Sequence, residues 1–200
     1  MNKYWSNITK SIHPYIPGEQ PQDKKYIKLN TNENPYPPSP KVIKSICRTS
    51  SNEFRLYPDP NCTELRITIA DHYNIDKEQV FIGNGSDEVL AFSFMAFYNP
   101  NDVVILPDIT YNIYRIYANL FQINYKLIPL NHDFSIPTQA FLNRGSGIVI
   151  SNPNSPTGKI LPVFELEKIL QSNCEKVVII DEAYIDFGGE SSINLIKRYS

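Results

Sequence analysis

Asp181 and Tyr184 stand at the end of an apolar run, in VVIIDEAYIDF (177–187). A carboxylate there can hold a positive charge, and a phenol three residues on can hold an oxygen anion. The run Val177 to Ile180 reads as a strand buried on both faces. In open α/β sheets, ligands sit just beyond the carboxyl ends of strands. The competing reading is a strand followed by an ordinary capped turn.

Three further loops bear on that choice. GNGSDE (83–88) has Gly83 and Gly85 for tight backbone geometry, with Ser86 and Asp87 where a helix begins. Free amides at a helix N-terminus plus a hydroxyl make a phosphate site, although a plain N-cap explains Ser86 and Asp87 as well. Position 88 is Glu88, so the loop is no dinucleotide fingerprint, and a Gly-Lys-Ser/Thr triphosphate loop is absent from the sequence. Dehydrogenase and kinase-like readings are thereby weakened. PDITY (107–111) places Tyr111 at a helix start, where its ring either stacks on a flat ligand or simply packs. NPNSPTG (152–158) fixes its backbone with two prolines and offers the amides of Asn152 and Asn154 as donors. A phosphate cradle, a ring stacker, amide donors, a carboxylate and a phenol together suit a flat, phosphorylated, nitrogen-containing aromatic cofactor. A pyridinium nitrogen takes a carboxylate partner, which keeps the ring protonated as an electron sink.

The elements that position these groups alternate. Strands are expected at Val80–Ile82, Val103–Leu106, Tyr125–Ile128, Gly147–Ile150 and Val177–Ile180, and helices near 86–98, 111–121 and 162–171. Such alternation predicts a largely parallel sheet with helices on its faces. Two earlier helices are expected, one opened by Ser39-Pro40 with Val42, Ile43, Ile46 and Cys47 on one face, the other over 63–73 with Leu65, Ile69 and Tyr73 on one face. Residues 1–40 read as an extended arm, since prolines at 14, 17, 21, 35, 37, 38 and 40 block regular structure. Within the arm, the amide cluster Asn30 to Asn34 forms either local Asx turns or ligand contacts.

A net charge of −2, with 20% charged and 42% hydrophobic residues, gives no electrostatic case for nucleic acid or an anionic membrane. No apolar run nears the ~20 residues of a membrane span, and the first ten residues lack the apolar core of a signal peptide. Cys47, Cys62 and Cys174 are far apart and His13, His72 and His132 scattered, so no metal is expected. Free thiols, some of them buried, in a reducing cytoplasm are the simplest reading of the cysteines.

The ordered set PYIPG (14–18), LNTNENPYPP (29–38), RLYPDP (55–60), GNGSDE, PDITY, NPNSPTG and DEAYIDF (181–187) resembles the fold-type I pyridoxal-phosphate aminotransferases, and within them the histidinol-phosphate branch. The resemblance implies a three-layer α-β-α large domain at 41–200, incomplete here, preceded by the arm at 1–40 and lacking the small C-terminal domain. It implies that Asp181 pairs with the cofactor's ring nitrogen, Tyr184 bonds its ring oxygen, Tyr111 stacks on the ring, and Gly85, Ser86 and Asp87 bind the phosphate. Tyr57 would reach the phosphate of a neighbouring subunit in a homodimer, while Tyr15, Asn32, Glu33 and Asn34 would shape the substrate pocket. The reaction implied moves an amino group from histidinol phosphate to 2-oxoglutarate. An aromatic or broad-range aminotransferase, a threonine-phosphate decarboxylase and a catalytically silent phosphate-ligand binder are the alternatives.

Two departures from the family pattern matter. Many relatives carry an asparagine immediately before Pro-Thr-Gly that contacts the ring oxygen, whereas here that residue is Ser155; Ser155, Asn154 or Asn152 is left to make the contact. The Schiff-base lysine and the substrate-carboxylate arginine are expected beyond Ser200, so the 200-residue chain alone is expected to be inactive.

Overall fold

A computed structural model describes residues 3–12, 18–49 and 52–199. The sheet has four parallel strands, β1 (Val103–Pro107), β2 (Asn124–Ile128), β3 (Gly147–Ser151) and β4 (Val177–Asp181), in the order β2-β1-β3-β4. The chain leaves β1 for β2 on one side and then returns to build β3 and β4 on the other. Strand order therefore reverses between β1 and β3, and a crevice for ligands forms at such a reversal. Register sets Ser151 beside Asp181 at the carboxyl ends of β3 and β4.

Alternation along the strands makes two cores. Val104, Leu106 and Val149 face Leu90, Phe94, Tyr114 and Ala118 of the helices Gly85–Phe97 and Ile113–Leu120. Ile105, Ile148 and Ile150 face Leu166 and Ile169 of the helix Val163–Ser172, with Phe141 and Leu195 beside them. Helix, sheet and helix form the three layers. In chain order the helices are α1 (Asn7–Ser11), α2 (Pro40–Thr49), α3 (Thr63–Tyr73), α4 (Gly85–Phe97), α5 (Ile113–Leu120) and α6 (Val163–Ser172).

Five expectations need correction. Val80–Ile82 is not a strand: Phe81 is exposed, and no strand of the four pairs with this segment. β4 is half-exposed along its whole length rather than buried, because it pairs only with β3 and forms the sheet edge among the described residues, while β3 is the fully buried strand. The arm contains the short helix α1, which Ser6 caps by accepting the Thr9 N–H at 3.1 Å in a stretch free of proline. The apolar residues of α2 and α3 meet no core: α2 buries nothing, and α3 buries only Ala70. All three cysteines are exposed.

Candidate active site

The carboxylate at the end of β4 is held from two directions. Tyr114 of α5 donates its hydroxyl proton to Asp181 Oδ2 at 2.7 Å, and the Ala183 N–H donates to Oδ1 at 3.1 Å. Tyr114 is fully buried. Burial pushes its phenol far above the ordinary value, and the negative charge of Asp181 adds to the rise, so the hydroxyl stays a donor. Glu182, the residue after β4, lines neither cleft. It accepts from Ser191 Oγ at 2.5 Å and from Ser192 N and Oγ at 2.7 Å, pinning the turn that follows.

The loop after β3 uses its amides internally, contrary to the donors expected from the sequence. Asn152 is fully buried; its Nδ2 donates to the Leu161 carbonyl at 3.0 Å, and its Oδ1 accepts the Leu161 N–H at 2.8 Å. Asn154 Nδ2 donates to the Ile109 carbonyl at 2.9 Å and to Thr157 Oγ1 at 3.0 Å, while its Oδ1 accepts from Thr110 Oγ1 at 2.9 Å. Asn154 thus locks the loop after β3 to the loop after β1. Ser155 is half-buried, and its N–H donates to Ser151 Oγ at 3.4 Å.

Helix α4 begins at Gly85 (φ 82°) after Asn84, so neither Ser86 nor Asp87 is the N-cap. Both stand in the first turn, exposed. Tyr111 lies in the loop before α5, and its hydroxyl donates to Asp87 Oδ1 at 3.1 Å; Tyr117 donates to the Asp87 carbonyl at 2.9 Å. The Asn84 N–H is taken by the Glu88 carboxylate one turn on.

These parts meet. A cleft of about 310 Å³ is lined by Gly85, Ser86, Asp87, Tyr111, Ser155, Asp181 and Tyr184. A second cleft, of about 340 Å³, shares Ser155 and Tyr184 with the first and adds Asn32, Glu33 and Phe187. Asn32 Nδ2 reaches the Tyr184 hydroxyl at 3.2 Å, which brings the arm to the site. Glu33 also pairs with Lys28. Asn34 instead closes a local turn, accepting the Tyr36 N–H at 2.9 Å. Tyr57 is fully exposed and lines neither cleft, and Tyr15 falls outside the described residues.

Residues 24–199 match the family model described as aminotransferase class I and II. The chain belongs to the class I and II aminotransferases. Within that family it is 61% identical over 199 residues to the histidinol-phosphate aminotransferase of Clostridium botulinum (strain 657 / Type Ba4), a match covering 100% of this chain and 56% of the relative. Identity to the histidinol-phosphate aminotransferase of Clostridium acetobutylicum (strain ATCC 824) is 55%, with the same coverage of both chains. The aminotransferase chain therefore spans a little over half the length of the curated relatives it matches. The solved histidinol-phosphate aminotransferase of Sinorhizobium meliloti, in complex with pyridoxal-5'-phosphate, matches at TM-score 0.81 over 93% of this chain and 52% of that one, and at 18% identity the likeness shows the fold.

Sequence reasoning missed Ser151, which lines the first cleft, and Tyr114, which stands behind it and bonds Asp181. Tyr114 was hidden among the apolar residues of its helix. Its signal is the polar tip, because a buried phenol needs a partner, and the polar residue at the nearest strand end is Asp181.

Proposed function

We propose that the whole protein is a pyridoxal-phosphate-dependent aminotransferase that exchanges the amino group between histidinol phosphate and glutamate, with imidazole-acetol phosphate and 2-oxoglutarate as the oxo partners. The observation that carries this reading is the convergence of Asp181, Tyr184, Tyr111, Ser155 and the α4 N-terminus on one cleft. The cofactor fits that donor set. A thirteen-residue helix opens toward the cleft at Gly85, where a left-handed backbone leaves open space rather than a side chain; helix N-termini favour phosphate. Asp181 presents the unused part of a carboxylate fixed at both oxygens.

When bound, pyridoxal phosphate supplies an electron sink for charge at the substrate's α-carbon. Asp181 holds the ring nitrogen and its proton. Tyr184 and Ser155 hold the ring oxygen; Ser155 is assigned this contact because the side chains of Asn152 and Asn154 are occupied by the loop itself. The Tyr111 ring covers one face, tethered through its hydroxyl to Asp87. Gly85, Ser86 and Asp87 bind the phosphate. Asn32 and Glu33 line the adjoining substrate cleft, Asn34 and Tyr15 are assigned to the same substrate pocket, and Tyr57 serves the neighbouring subunit of a homodimer. The chain 41–200 is then part of the large domain, and the cofactor-anchoring lysine and the carboxylate-binding arginine come from the rest of the protein, so residues 1–200 alone do not transaminate.

Steady-state rates of the full-length protein with histidinol phosphate, phenylalanine and threonine phosphate test the reading. A kcat/KM for histidinol phosphate well above the other two is expected. Preference for either competitor would replace the substrate assignment, and no amino transfer to 2-oxoglutarate from any of them would refute the proposed reaction.

A further inference from the structure

We propose that Tyr114 is a positioning residue for Asp181, fixing the carboxylate so that its remaining lone pairs point into the cleft toward the cofactor's ring nitrogen. The inference rests on the cofactor assignment made above and extends it to a residue that does not line the cleft.

A carboxylate has about four lone-pair directions and a freely rotating end torsion. At the end of β4, nothing in the strand's own backbone would choose among those rotations. Asp181 is fixed by two donors on separate elements, Tyr114 of α5 at Oδ2 and the Ala183 N–H at Oδ1. The first comes from inside the protein and the second from the loop, so the carboxylate plane is pinned at both ends. The anchor is itself rigid: Tyr114 is fully buried and packs in the core with Val104, Leu106 and Val149. Charge-assisted hydrogen bonds of this kind are roughly twice as strong as neutral ones.

Tyr114 also braces the second wall of the cleft. Its ring meets that of Tyr111 edge to face, with centroids 5.8 Å apart and planes at 84°. The Ser151 hydroxyl, beside Asp181 in the ladder, donates to the Pro153 carbonyl at 3.0 Å and accepts the Ser155 N–H at 3.4 Å. One buried phenol therefore lies behind both the carboxylate and the Tyr111 ring.

The test separates an effect through Asp181 from a general loosening. Apo full-length protein is titrated with pyridoxamine phosphate, which cannot link covalently to a lysine, and with its 1-deaza counterpart, whose ring carries C–H in place of the nitrogen. Tyr114→Phe keeps the ring and removes the hydroxyl. It is expected to weaken pyridoxamine phosphate binding on the order of tenfold, about 1.4 kcal/mol, and to change binding of the deaza compound less than twofold. Equal weakening of both, or of neither, overturns the inference. In an Asp181→Asn background, adding Tyr114→Phe is expected to change pyridoxamine phosphate binding less than twofold; this pair decides the question if the single variant does not fold, because no carboxylate then loses its partner, and a further tenfold loss overturns the inference. Wild-type protein that binds both compounds equally would instead refute the ring-nitrogen assignment, and the role of Tyr114 with it.

Discussion

Asn152→Ala separates the two tasks open to the asparagines after β3. The Asn152 side chain is fully buried and closes a two-way hydrogen-bonded bridge to the backbone of Leu161, itself 6% exposed. Truncation leaves a buried N–H and a buried C=O without partners, at ~1–3 kcal/mol each. Water entering the vacated space satisfies part of that loss, so a net cost of about 2–4 kcal/mol is expected for the local structure. With tenfold per 1.4 kcal/mol, the Leu161 amide should exchange its hydrogen roughly thirtyfold to a thousandfold faster. Amide exchange resolved to Leu161 in the native full-length protein measures this, with cofactor affinity determined on the same sample. Unchanged exchange together with lost cofactor affinity would refute the reasoning, since Asn152 would then serve the ligand rather than the loop.

Ser155→Ala should weaken cofactor binding about twofold to tenfold, the worth of one neutral hydrogen bond, with little change in the unfolding midpoint; a stability loss without an affinity loss would place Ser155 among the loop's structural residues. In alkali, the buried phenols of Tyr98 and Tyr114 are both raised, chiefly by burial and then by the charges of Asp102 and Asp181 respectively. Their contribution to stability is complete below about pH 10, where unfolded tyrosine is still protonated. Above it the unfolded chain releases protons that the folded chain keeps, so stability falls as pH rises. Phenolate absorbance should show these two ionising only with unfolding, whereas smooth reversible titration of every tyrosine in folded protein would contradict their burial.

The order of elements from residue 103 onward was legible, because Val103–Pro107, Gly147–Ser151 and Val177–Asp181 are apolar runs bounded by turn residues. The loops that line the cleft were legible for the same reason: each follows a strand end or opens a helix. Pairing was not legible. Val80–Ile82 carries the composition of a strand, yet a ladder needs a neighbour, and no sequence window reveals whether one is adjacent. Side-chain direction was likewise hidden. Asn152, Asn154 and Ser155 are chemically similar donors in one loop, and only the closure of the amides on Leu161, Ile109 and Thr157 distinguishes them. Glu182 directly follows Asp181, yet it accepts from Ser191 and Ser192 and lines neither cleft.

The central claim is that the carboxylate at the end of β4 holds the cofactor's ring nitrogen in its protonated form. The nitrogen-15 resonance of ring-labelled pyridoxal phosphate bound to the full-length protein reads that state directly. The account predicts a protonated nitrogen in the wild type and an unprotonated one in Asp181→Asn. An unprotonated ring in the wild type, or a resonance that Asp181→Asn does not move, would contradict it.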